Sequence, residues 1–165
     1  MSTPPPDANL CRRFLVRLTA QPADAGKRND YFWLKKENPE IFLWGNEHGM
    51  FSMVIEGKSS DNTLHSTQLR VYHDQLEAIY ELSPARLPRR CYLFDRWELR
   101  VYLDKWDGLA ILSIELNTPD EQIPTMPDGI EYVEDISWRE DFEASDLAFM
   151  SEMDAKEKLC RIYSR

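Results

Sequence analysis

The chain has 165 residues, a length that suits one domain better than two, and 42% of them are hydrophobic and 12% aromatic, enough for a substantial core. Acidic residues outnumber basic ones 29 to 20, a net charge of −9, which argues against the domain-wide basic footprint of a nucleic-acid binder. Arg139 is the only basic residue between Glu115 and Asp154, while most arginines precede residue 101, so a local basic site fits inside an acidic protein. Cys11, Cys91 and Cys160 are odd in number, far apart and without a CxxC pair, and His48, His65 and His73 lack ligand spacing. That pattern argues against a disulfide framework or zinc motif and points to a reducing, cytoplasmic setting.

In chain order, residues 1–9 (MSTPPPDAN) lack the charged and apolar parts of a signal peptide and read as a short disordered lead, leaving 10–165 as a single domain. No segment approaches the roughly 18 apolar residues of a membrane span. Strand-like segments follow: CRRFLVRL, DYFWLKK, EIFLWG, GMFSMVIEGK and STQLRVYH, with Gly45 to Gly49 able to turn one pair. DQLEAIYEL (74–82) reads as a helix, with Leu76, Ile79 and Tyr80 on one face, Asp74 near its start and Pro84 past its end.

The strand pattern then resumes in RRCYLFD, WELRVYLDK and LAILSIEL, with turns at Asp95-Arg96 and Asp107-Gly108. In WELRVYLDK, Trp97, Leu99, Val101 and Leu103 oppose Glu98, Arg100, Tyr102 and Asp104, a period of two. A proline-rich loop, PDEQIPTMPDG, leads to a helical run over 141–163 that places Phe142, Phe149, Met153, Cys160 and Tyr163 along one side. Its acids come first and its lysines and arginine last, as the helix dipole prefers. The expected class is α+β: an antiparallel barrel of about eight strands with peripheral helices. In such a barrel Leu99, Val101, Ala110, Leu112 and Ile114 lie under the helices and the polar strand faces turn inward. The same alternation also fits an ordinary half-exposed strand with its polar face in water.

WELRVY (97–102), GLAILSIEL (108–116), PTMPDGIEY (124–132) and Ile136-Ser137, with Phe142 five residues after Ser137, stand in a telling order. They resemble the W-E-V-D-x-F, G-L-x-x-A-E-I-E-L, proline-rich and V-T…Y motifs of the CYTH family. These are the triphosphate tunnel metalloenzymes, which include class IV adenylyl cyclases and thiamine triphosphatases. CRRFLV (11–16) resembles the family's opening E-I-E-R-K-F-L-V, and GMFSMVIEGK (49–58) its L-T-I-K-G strand. The resemblance implies a CYTH-like tunnel barrel in which Glu115 is a ligand for magnesium or manganese, held by opposed carboxylates against a triphosphate.

The departures are extensive. Ser113 replaces the first glutamate of the E-x-E pair, and the opening acids fall on Asn9 and Cys11, with Arg13 keeping only the cation. Glu56 and Arg100 reverse the charge of the family's lysine and aspartate at those places. The R-x-R strand falls on IFLW (41–44), without arginine; the R-x-E-x-E strand falls near Arg70, without glutamate; the K-x-R strand falls near Pro88 and Arg90. These losses imply that metal-dependent triphosphatase or cyclase activity is gone. The competing expectation is a divergent phosphohydrolase using magnesium or manganese on a triphosphate or nucleotide.

Strand parity turns Arg13, Arg17, Arg70, Arg90 and Arg100 inward together with Glu56, Glu98, Asp104 and Glu115. Buried charges survive when paired or ligand-bound. The arginines and acids therefore form internal salt-bridge networks, or the arginines hold a phosphate-bearing anion such as a nucleotide or phosphorylated metabolite. The expected function is a binding or regulatory module for that anion or for a protein partner, with no role for a membrane. Tyr31, Phe32, Trp33, Phe42, Trp44, Trp97, Trp106 and Trp138 are expected mostly in the core, with base stacking by one or two of them left open.

Overall fold

A computed structural model describes residues 10–46, 48 and 50–164, so the expected lead at 1–9 and parts of the Gly45–Gly49 turn lie outside the described residues. The alternating segments form β1 (Cys11–Leu18), β2 (Lys27–Lys35), β3 (Glu40–Asn46), β4 (Phe51–Lys58), β5 (Leu64–Val71), β6 (Ala85–Arg86), β7 (Arg89–Phe94), β8 (Trp97–Tyr102), β9 (Ala110–Glu115) and β10 (Ile130–Asp135). They pair antiparallel in one sheet, ordered β10-β1-β9-β8-β7-β2-β3-β4-β5, with the two-residue β6 beside β2. The strands beyond the expected eight are β6 and β10. Among the described residues no ladder joins β5 to β10, so the sheet is open where a closed barrel was expected.

Helix α1 (His73–Leu82) lies where the apolar spacing predicts. The C-terminal run is not one helix: α2 (Ala144–Phe149) and α3 (Glu152–Tyr163) are separated at Met150–Ser151. Ser151 is the N-cap of α3, its hydroxyl accepting from the Asp154 backbone N–H at 3.1 Å, which satisfies one of the free donors of the first turn. No helix among the described residues is long and apolar enough to cross a membrane.

The register fixes which side chains share a face, because directly opposed residues project to the same side. Leu99 faces Tyr92 and Leu112, and Phe14 faces Leu112. With Val16, Trp97, Ala110, Ile114 and Leu116 they form one apolar cluster, so the expected segregation of Leu99, Val101, Ala110, Leu112 and Ile114 holds. Their cover is different from the expected one. Leu10, Ile123, Met126 and Ile130 pack there, and the proline-rich loop is pinned by the Trp97 Nε1–H donating to the Thr125 carbonyl at 3.2 Å. Helix α1 covers the same side farther along, where Leu76 and Ile79 meet Phe32, Leu43 and Val71.

Helices α2 and α3 pack on the opposite face, the one carrying Glu98 and Arg100, which reverses the expected placement. The reason lies in the composition of that face. Leu15, Trp33, Tyr102 and Ile111 give it an apolar half, and Leu147, Ala148, Ala155 and Ile162 bury against them. The Trp106 Nε1–H donates to the Leu147 carbonyl at 2.9 Å, and the Lys105 ammonium donates to the carbonyls of Ala148 and Met150, so the end of α2 is held by charge and hydrogen bonds.

Candidate functional site

The remaining half of the helix-bearing face is polar. Opposed pairs carry it across four strands: Cys11 with Glu115, Arg13 with Ser113, Ser113 with Glu98, and Arg100 with Cys91. Arg89 faces Tyr102 on one side and Asn29 on the other, which places it on this face as well. Three arginines from β1, β7 and β8 therefore share a surface with two glutamates and two thiols.

Each arginine is held differently. Arg13 donates to Glu143 Oε1 at 2.7 Å and to the carbonyls of Arg139 and Phe142, tying β1 to the start of α2. Arg100 is ion-paired to Glu98. Burial works against its charge, but Glu98, with Tyr102 and Cys91 behind it, raises the guanidinium pKa overall. Arg89 is only 6% exposed, and its guanidinium carbon lies 4.5 Å from the centre of the Tyr31 ring. Its buried Nε has no hydrogen-bond partner, and among the described residues no carboxylate pairs with it. Among the described residues, the Ser113 hydroxyl is the other buried side-chain polar group without a partner. Cys11 sits among these charges; burial raises its thiol pKa, ahead of the lowering effect of Arg100 and Arg13.

The sequence-expected residues divide accordingly. Arg13, Arg100, Glu98 and Glu115 are brought together. Arg17 shares the face but is spent on Glu131 and the Tyr163 carbonyl, which it reaches at 3.2 Å, and its guanidinium lies over the Tyr163 ring. Arg70 shares the face too, yet lies exposed on β5, at the far end of the sheet from Arg13. Glu56, on the neighbouring β4, opposes Ser66, four positions along from Arg70, and accepts from the Ser66 hydroxyl at 3.3 Å.

Two expectations of parity are corrected. Arg90 faces Val101 on the other side and donates to the Ala25 carbonyl at 3.1 Å. Asp104 is exposed in the short 3-10 turn Asp104–Trp106, outside the strand. Arg89 was missed in favour of its neighbour. In RRCYLF the apolar Tyr92 and Phe94 share the parity of Arg90, so the alternation itself assigns Arg89 to the polar face.

The residues do not fit the divalent metal that the resemblance implies. Among the described residues no group of three or more His, Cys, Asp or Glu side chains is arranged to hold an ion. Glu98 is engaged by Arg100, and Ser113 stands beside Glu115 where a second carboxylate would be needed. What the arrangement offers is cationic: a desolvated guanidinium on an aromatic ring, on the same face as two arginines held in place by acids.

No protein-family model matches the chain, and no curated protein sequence matches it. Among solved structures, two of NE1496 are similar, one described as a hypothetical protein and the other as an inorganic triphosphatase, each with a TM-score of 0.64. Identity is 17% and 16%, over 85% and 86% of this chain and 97% of each of theirs. The fold is CYTH-like.

Proposed function

We propose that this CYTH-like protein binds a phosphate-bearing anion on the helix-bearing face of its sheet and does not carry out metal-dependent phosphoryl chemistry. The observation that carries the reading is Arg89, a buried guanidinium with an unpartnered Nε. A buried cation without an anion is costly, and a phosphate oxygen is the acceptor whose charge and geometry suit a guanidinium. Arg100, from the neighbouring strand, supplies a second cation on the same face. The NE1496 triphosphatase supports the class of ligand, since a triphosphate is the kind of anion such a face could retain after its carboxylates were replaced. Ligands in this class include nucleotides and phosphorylated small molecules.

The test is phosphate release from inorganic triphosphate, thiamine triphosphate and ATP, with magnesium or manganese, beside thermal melts with the same compounds. The reading expects stabilisation without turnover. Robust metal-dependent turnover that is lost in Glu115→Gln would replace it with the divergent phosphohydrolase.

A further inference from the structure

The open sheet ends in two edges of different chemistry. At one end, β10 carries Glu131, Glu134 and Asp135 within six residues, and its ladder to β1 is interrupted between Leu15 and Val16. Charges and bulges of this kind stop an edge from pairing with another chain. At the other end, β5 reads LHSTQLRV: eight residues with no proline, lysine or acid, and Arg70 as the one permanent charge. Its ladder to β4 runs in unbroken register from Phe51↔Val71 to Lys58↔Leu64. Every residue of β5 except Val71 is exposed, Leu64 by 60% and Leu69 by 50%, and Tyr72 just beyond is also exposed. A long, weakly charged edge in unbroken register, with protruding apolar side chains, is a template for strand addition.

We propose that β5 is a self-association edge, pairing antiparallel with β5 of a second copy about a two-fold axis at Thr67. A two-fold perpendicular to the sheet continues each face across the junction, so opposed residues must share parity. Centred on Thr67, it opposes Ser66 with Gln68, His65 with Leu69, and Leu64 with Arg70. No like charges meet, Arg70 lies over an aliphatic neighbour, and Thr67 meets its own copy, a favourable cross-strand pair. Self-pairing closes the assembly at two copies. Addition of β5 to the acidic β10 edge of another copy would be open-ended and would grow filaments. The junction is short: seven opposed residues span about 23 Å at roughly 3.3 Å each. A single strand pair of this length makes a small junction, so the dimer is weak.

Sedimentation equilibrium of the full chain across micromolar to millimolar concentrations reads the state directly. The wild type should pass from monomer to dimer and no further. Thr67→Lys and Thr67→Glu, both at an exposed position, should each be monomeric with unchanged melting temperatures. An equimolar mixture should dimerise again, because the lysine of one variant faces the glutamate of the other. As a second handle, Thr67→Cys in a Cys160→Ser background should form a disulfide-linked dimer on mild oxidation. A wild type that stays monomeric throughout, a dimer untouched by either charge variant, or a mixture that fails to recover would each overturn the proposal.

Discussion

Arg89 lies against the ring of Tyr31, its guanidinium carbon 4.5 Å from the ring centre, while its buried Nε meets no acceptor among the described residues. The aromatic face offsets part of the desolvation of the charge, since a cation over a tyrosine gains roughly 0.5–2 kcal/mol. It does not supply the hydrogen bonds that a guanidinium gives up on leaving water. Tyr31 is itself stacked on Trp33 and Phe42, at 5.7 and 6.2 Å between ring centres, so the platform under Arg89 is continuous with the core that α2 and α3 cover.

A first prediction follows for the ligand-free protein. Arg89→Met removes an uncompensated charge and keeps much of the volume. Its unfolding free energy should lie within about 1 kcal/mol of the wild type or above it. Urea unfolding measures this; a loss of several kcal/mol would mean that Arg89 already has its partner within the fold.

Arg100 should behave in the opposite way. It is paired with Glu98 on the neighbouring position of its own face, so Arg100→Ala leaves a half-buried carboxylate without its cation. The expected cost is about 1–2 kcal/mol in urea unfolding at neutral pH. Glu98→Gln combined with Arg100→Ala should recover part of it, because the stranded charge is gone.

Asp141 predicts a pH dependence. Hydrogen bonds from Arg139 chiefly, and from Lys158 against the opposing effect of burial, lower its pKa from 3.8 to about 2. A carboxylate depressed in the folded state contributes stability that is complete above its ordinary pKa and is lost as pH falls through the folded one. The side chain is about half exposed, so solvent screening holds the contribution to about 0.5–1 kcal/mol. Asp141→Asn should be less stable than the wild type by that amount near neutral pH, and the difference should close between about pH 4 and pH 2. Denaturant titrations at both ends of that window check it.

Much of the sheet was legible because its strands alternate cleanly. WELRVY and AILSIE follow one another antiparallel as the period of two and the turn at Asp107-Gly108 predict. The short β6 carries too few residues to show a period, and β10 was hidden in the motif that follows the proline-rich loop. The break between α2 and α3 had a signal in Ser151 and Asp154, a cap and an acid three residues on, inside a run whose apolar spacing suggested continuity. The side covered by α2 and α3 was not legible from alternation. A period of two separates two faces without saying which one a distant helix chooses, and Leu15, Ile111 and Tyr102 make the more polar face apolar enough to be chosen. The site suffered from one ambiguity of the same kind, the adjacent pair Arg89-Arg90, which only the parity of Tyr92 and Phe94 resolves.

Calorimetric titration of inorganic triphosphate into the wild type and into Arg89→Met, both in chelator to exclude divalent cations, tests the anion site most directly. One charge-assisted contact is worth roughly 1.5–3 kcal/mol, so the wild type should bind and the variant should bind about ten- to a hundredfold more weakly. Equal affinity in the two proteins, or no binding to the wild type, would contradict the assignment of Arg89 as the residue that holds the anion.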